Sequence, residues 1–354
     1  MRETRQSAKK NAMLRETRQN AMKSTVGVMV LLDTEEEYAR LMTEFLHKHK
    51  NLPWELLTYT NAGELLREEK ETVTLLVVAE SACSEEIQRL FSERLVILSE
   101  SGTMHWENLH YVDKYQRAEE VLKELLQVYM EIIDTPPPRL QKGCKTVFIG
   151  NYSPVRRALQ TSMALTLSQL LAREHSTLYL NFEHYAGIPE LVSDMRTQDL
   201  ADLLYFMDAD KEKFRLRMQT VLKRIGDLDY VPPMKSGQNL LTVTAAEWMG
   251  LLTKIEELGE YEYVVMDLSE SMQGLFQILR FCKKVFTVTR EDRIACSKLL
   301  QYEQLLALYE YGDVLEKTRR LSLSHILKLP EELEQLTKGD LASLAWDLIK
   351  EIQE

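Results

Sequence analysis

Residues 145–187 read KTVFIGNYSPVRRALQTSMALTLSQLLAREHSTLYLNFEHYAG. The apolar run Val147-Phe148-Ile149 closes on Gly150, and a loop follows from Asn151 to Leu159. Ala164, Leu165, Leu167, Leu170 and Leu171 then recur at helical spacing, and residues 177–182 read as a second strand. Strand, loop, helix and strand form the βαβ layout in which a phosphate-binding loop sits. The residues of this loop do not suit that task. A phosphate cradle needs glycines, so that backbone N–H groups can close on the anion, and then a lysine to reach it. Here the loop offers Arg156, Arg157, Leu159 and Gln160.

Working outward, residues 143–354 carry a second α/β pattern. Helical stretches are expected at 198–206 and 211–225, a strand at 239–243 and a helix at 246–258. Tyr263-Val264-Val265-Met266 reads as an apolar strand ending at Asp267. Helix 274–281, strand 285–288, helix 294–309, a weak edge strand at 315–323 and a closing helix at 340–352 complete the pattern. That last helix puts Leu341, Leu344, Ala345, Leu348, Ile349 and Ile352 on one face. Its polar face carries Asp340, Asp347, Glu351 and Glu354 against Lys350. Membrane-surface helices are basic on the polar face, so packing against the domain is expected.

Residues 24–134 alternate strands and helices in the same way. Strands are read at 26–32, 54–59, 73–78, 95–98 and 109–112, with helices at 35–50, 62–69 and 118–133. Strands that are apolar throughout imply a parallel sheet covered on both faces. Thr135-Pro136-Pro137-Pro138 marks a linker, taken as 135–142, because consecutive prolines cannot continue a helix. Residues 1–23 repeat the pentad Arg-Glu-Thr-Arg-Gln at positions 2 and 15 and carry seven Lys or Arg against two Glu. With almost nothing apolar to bury, they read as a solvated basic extension, and Met22 is an alternative start.

The 354 residues carry a net charge of −11, which disfavours a general nucleic-acid binder. Cys83, Cys144, Cys282 and Cys296 show no CxxC spacing, which fits thiols in a reducing cytosol. No apolar run reaches the ~20 residues a spanning helix needs. His47, His49, His105 and His110 form no HExxH or Cys/His pattern, so no metal site is expected.

The first domain resembles the receiver domain of response regulators. That resemblance implies an acidic pair after the first strand, an aspartate after the third, a hydroxyl after the fourth and a lysine after the fifth. Asp33, Ser99 and Lys114 match, but Asp33 is followed by Thr34 and the third strand ends on Ala79-Glu80. Without the phosphoacceptor, a pseudo-receiver that docks onto a partner is expected. Asp33, Glu80, Ser99 and Lys114 then form a degenerate site.

Residues 143–354 resemble the MinD/ParA class of deviant-Walker ATPases, the nearest branch being the CpaE/TadZ group. The resemblance rests on Tyr152-Ser153-Pro154, on Leu178 to Glu183 as the second strand, on Tyr263 to Leu268 and on Arg290-Glu291-Asp292. It implies an α/β molecule in which a receiver-like, flavodoxin-like parallel sheet precedes a P-loop NTPase fold with a mostly parallel sheet. The family loop has two glycines, a residue, a glycine, a lysine and a threonine, where this chain has Arg156, Arg157, Ala158, Leu159, Gln160 and Thr161. In the family the threonine and an aspartate at the place of Asp267 hold Mg²⁺ on the phosphates. The degenerate nucleotide site is therefore Ser153, Arg156, Arg157, Gln160, Thr161, Glu183 and Asp267. The arginines are expected to face solvent, or to pair with Glu183, Asp267 or Glu270 and fill the pocket, or else to bind an anion in an altered pose.

The resemblance implies a non-catalytic assembly or positioning protein that localises a tight-adherence pilus secretion machine. It would act in the cytoplasm or at the inner face of the membrane, through protein partners, with a homodimer as an option. No cofactor is expected. The competing readings are a slow ATP- and Mg²⁺-dependent switch and a receiver-type signalling regulator.

Overall fold

The structure is a computed structural model that describes residues 27–49, 52–67, 73–106, 108–132, 143–156, 159–192, 198–323, 326 and 328–353. The basic extension 1–23, the linker 135–142 and Arg157 lie outside the described residues. The chain divides into two compact units, Met1–Gln141 and Lys142–Glu354.

The first unit runs β1 (Gly27–Leu32), α1 (Glu36–Lys48), β2 (Trp54–Tyr59), α2 (Ala62–Leu66), β3 (Leu75–Ala79), α3 (Glu85–Phe91), β4 (Leu95–Ser99), β5 (His110–Asp113) and α4 (Ala118–Ile132). Its sheet is wholly parallel in the order β2-β1-β3-β4-β5, the flavodoxin-like doubly wound order. Every residue of β3 and β4 is buried, which explains why these strands read as continuous apolar runs. Helix α3 was missed in the sequence. Ser84 caps it, its hydroxyl accepting from the Ile87 N–H at 3.3 Å, and Ile87 and Phe91 bury one turn apart.

The second unit runs β6 (Val147–Tyr152), α5 (Gln160–Ala172), β7 (Thr177–Asn181), α6 (Ile188–Val192), α7 (Leu200–Tyr205), α8 (Lys211–Val221), β8 (Lys223–Ile225) and β9 (Leu228–Val231). It continues with α9 (Gly237–Thr242), α10 (Ala245–Leu258), β10 (Tyr263–Asp267), α11 (Leu275–Phe281), β11 (Lys284–Thr289), α12 (Arg293–Leu308), α13 (Asp313–Glu316), β12 (Thr318–Ser322) and α14 (Asp340–Gln353). The sheet order is β12-β11-β6-β10-β7-β9-β8, parallel except for the β8–β9 hairpin. Both units are thus α/β with parallel sheets, as the strand patterns imply.

Two elements differ from the sequence reading. Residues 239–243 are not a strand but belong largely to α9. Ser236 caps that helix, and Leu240 and Val243 bury at i, i+3 spacing while Leu241 and Thr242 face solvent. The helix expected over 211–225 stops at Val221, and the chain turns back through Gly226-Asp227, with Gly226 at φ +60°. A two-residue Gly-Asp loop between short apolar runs is a hairpin signal.

The helices cover both faces of the second sheet. On one face α10 and α11 pack over Phe148, Leu178 and Val264, with Trp248 fully buried. On the other, α5 and α14 pack together over Ile149, Tyr179 and Val265. Leu341, Ala345, Leu348, Ile349 and Ile352 of α14 are all spent in that core. The edge strand β12 exposes Arg319 and Arg320, which reach Glu351 and Glu303 respectively.

Candidate functional site

In the second unit β6 lies between β10 and β11, and β10 lies between β6 and β7. The registers align Asn151 with Asp267 and Asp267 with Asn181. Strand alternation puts these three polar residues on the α5 face, at the carboxyl ends of otherwise apolar strands. All three are buried. Asn181 Nδ2 donates to Asp267 Oδ2 at 3.1 Å, and the Tyr179 hydroxyl donates to the same oxygen at 3.2 Å. The Asn151 amide, fully enclosed, makes no hydrogen bond to any described residue.

The first residue of α5 reaches down onto this row. The single amide nitrogen of Gln160 stands 2.5 Å from Asp267 Oδ1, 2.9 Å from the Leu268 carbonyl, 3.2 Å from Glu183 Oε1 and 3.4 Å from the Asn151 carbonyl. An amide has two hydrogens to give, so four oxygens compete for two donors. Thr161 adds a hydrogen bond to Asp267. Among the described residues no ion pair to Asp267 is found, and burial pushes its carboxyl up to about 6, against hydrogen bonds from Thr161, Gln160 and Tyr179. Burial, followed by the neighbouring Asp267 charge, pushes Glu183 up to about 7.

The described residues of the loop before α5 include backbone that glycine usually supplies. Arg156 and Leu159 adopt left-handed backbone, φ +51° and +77°, and both stand at places where the resembled family has glycine. Such a conformation costs a non-glycine residue about 1–2 kcal/mol. Leu159 is held by packing into the α5 core, and its carbonyl accepts from Met163 N–H at 2.7 Å. Arg156 pairs with Glu270 at the exposed rim. Arg156 thus takes Glu270, one of the partners expected for the arginines, and among the described residues it is Gln160, which starts the helix directly above Asp267, that occupies the pocket. Ser153 turns away, donating to the Val288 carbonyl at 2.7 Å and stitching the loop to β11.

In the first unit the structure brings Asp33 and Lys114 together, with Lys114 Nζ 2.9 Å from Asp33 Oδ2. The same ammonium meets Glu100 at 2.7 Å and Glu35 at 3.1 Å, two partners that the sequence reading missed. Burial pulls the Lys114 pKa down, but hydrogen bonds to Glu100, Asp33 and Glu35 outweigh it, and the net shift is upward. Glu80 does not touch Lys114. It accepts from Ser101 Oγ at 2.7 Å and from the N–H groups of Glu100 and Ser101, which hold its carboxyl down at about 2, and it also accepts from Ser99 Oγ at 3.4 Å. Glu100 was legible only as a carboxylate one residue past β4, on the same sheet edge.

Nucleotide and metal would enter the second unit through a glycine cradle, a lysine and a free aspartate. The residues present do not fit them: side chains project from two of the glycine places, and the amide of Gln160 occupies the cage of oxygens around Asp267. Among the described residues no cluster of three or more His, Cys, Asp or Glu side chains is arranged to hold a metal ion, and no helix is long and apolar enough to cross a membrane.

No protein-family model matches the chain, and no curated protein matches it. Among solved structures it is similar to a ParA family ATPase from Chlorobium tepidum, at 18% identity over 55% of this chain and 81% of that one, with a TM-score of 0.40. It is similar to the MinC:MinD cell division protein complex of Aquifex aeolicus, at 15% identity over 50% and 68%, with a TM-score of 0.37. A third likeness is to the McdA–ATP complex of Cyanothece, at 13% identity over 59% and 80%, with a TM-score of 0.41.

Proposed function

We propose that this chain is a non-catalytic assembly or positioning protein, in which a nucleotide-switch scaffold of the MinD/ParA kind serves as a docking surface. The observation that carries this reading is Gln160, whose amide lies in the cage of Asp267, Glu183 and Leu268 where the resembled enzymes hold a lysine. A neutral amide supplies no point charge to a phosphoryl group, and clamps of that kind are worth about 10²-fold or more in rate. The resemblance to the CpaE/TadZ group supports the finer reading, a role in localising a pilus secretion machine through protein contacts. The first unit, receiver-like in this proposal, serves as a second docking surface, since Lys114 is already neutralised by Asp33 and Glu100.

Calorimetric titration of the full chain with Mg·ATP tests the reading. No saturable heat and no phosphate release are the expected results. Tight, Mg²⁺-dependent binding with turnover would overturn it. Incubation with acetyl phosphate is expected to leave the first unit unlabelled, and stable labelling there would instead favour a signalling regulator.

A further inference from the structure

We infer that Gln160 is an internal staple that holds the loops after β6, β7 and β10 in one arrangement without any bound ligand. The inference rests on the reading above that the pocket takes no nucleotide, and it adds what the pocket does instead.

Among the described residues the other ties between the loops that leave these three strands are pairwise: Arg156 with Glu270 joins β6 to β10, Phe182 N–H to the Asp267 carbonyl joins β7 to β10, and two more bonds do the same. The Ser269 hydroxyl donates to the Phe182 carbonyl at 2.6 Å, which joins the β7 and β10 loops. Leu268 N–H donates to the Asn151 carbonyl at 2.9 Å, which joins β10 to β6. Gln160 is a side chain that reaches all three at once, through Asn151, Glu183, and Asp267 with Leu268. Its own position is fixed from the other side. It is the first residue of a 13-residue helix whose next turns are buried against Ile149 and Val265. The staple is therefore anchored in the core, and the loops hang on it.

The geometry also states what would serve better. Four oxygens around one nitrogen suit a donor with more hydrogens than an amide, and two of the four are carboxylates. An ammonium brings three donors and a charge. Gln160→Lys should therefore do the same task more strongly, whereas Gln160→Met, of similar length and without donors, should release the loops and leave the packing of α5 intact.

Hydrogen–deuterium exchange on the full-length protein, in magnesium-free buffer without nucleotide, tests this. In Gln160→Met, peptides covering 151–156, 182–187 and 268–274 should exchange at least tenfold faster together, while β10 and α10 stay protected. Gln160→Lys should restore protection in all three to the wild-type level or beyond. If Gln160→Met leaves the β7 and β10 loops unchanged, or loosens only the first turn of α5, the staple is refuted. If Gln160→Lys loosens the three loops as much as Gln160→Met does, it is refuted as well. ATP turnover by the wild-type protein would sink the non-catalytic reading and leave these exchange patterns to stand or fall by themselves.

Discussion

Each sheet carries a group of carboxylates at its carboxyl edge, and in each the group is met by one long side chain of the same unit. In the first unit the filler is Lys114, a full positive charge between Asp33, Glu100 and Glu35, flanked by the Tyr38 ring at 4.8 Å. In the second it is Gln160, a neutral amide between Asp267 and Glu183. The lysine gives each of its three carboxylates a cationic partner. The glutamine offers hydrogen bonds but no charge, and burial, joined at Glu183 by the charge of Asp267, pushes both carboxyls up. Two carboxylate groups at sheet edges can therefore be bridged by one long side chain each, a cation in one unit and a neutral amide in the other.

The largest expected break in this comparison is Lys114→Met. It leaves Asp33 fully buried without its cation, a loss of about 3–5 kcal/mol. Urea denaturation, with exchange of the first-unit peptides as the local readout, checks it. A change under 1 kcal/mol would mean that the ion pair is not what holds this edge.

The pH dependence comes next. Asp267 and Glu183 titrate near 6 and 7 in the folded state, above their ordinary values, so the folded state holds protons that the unfolded chain has released. Their contribution is fully present below about pH 4 and is lost as pH rises towards 7, by about 3 kcal/mol for Asp267. Glu80 has the opposite sign. Held at about 2, it contributes above its ordinary pKa and loses that contribution as pH falls towards 2. Local exchange measured from pH 4.5 to 8 should therefore show the loops around Asp267 and Glu183 loosening with rising pH, while the loop around Glu80 does not.

Gln160→Lys should erase much of that contrast. By giving the second site the filler type of the first, it should raise stability at pH 8 by about 1 kcal/mol, as charge-assisted hydrogen bonds replace neutral ones. Denaturation at pH 5 and pH 8 decides; destabilisation at pH 8 would show that burying the ammonium costs more than the two carboxylates return. The smallest effect is expected for Arg156→Gly. Removing a β-carbon from left-handed backbone should stabilise by about 0.5 kcal/mol after the exposed pair with Glu270 is given up. The thermal midpoint is the measurement.

Much of the fold was legible because buried parallel strands announce themselves. Leu75–Ala79 and Tyr263–Asp267 have no solvent face, so every position is constrained to be apolar until the strand ends. Where burial is partial, the period decides, and Leu240 with Val243 was read with the wrong one. The site was half legible. The loss of the loop's lysine is visible at Gln160, and Asp267 is visible as the polar end of an apolar strand. That the glutamine would itself bridge Asp267 and Glu183 depends on the registers of β6, β10 and β7, which no single stretch encodes. Asn151 and Asn181 could have been found by asking which apolar strands end on an amide. Glu100 and Glu35 depended on loop paths that their own residues do not dictate.

The twin arginines of β12 bear on how copies of this molecule meet. An outermost strand offers its unpaired backbone groups to any neighbour, and two such margins laid side by side would extend the sheet indefinitely. Arg319 and Arg320 stand exposed on that margin, each paired within its own unit, with Glu351 and Glu303, so a second copy approaching the border must displace or accommodate two ion pairs before backbone groups can meet.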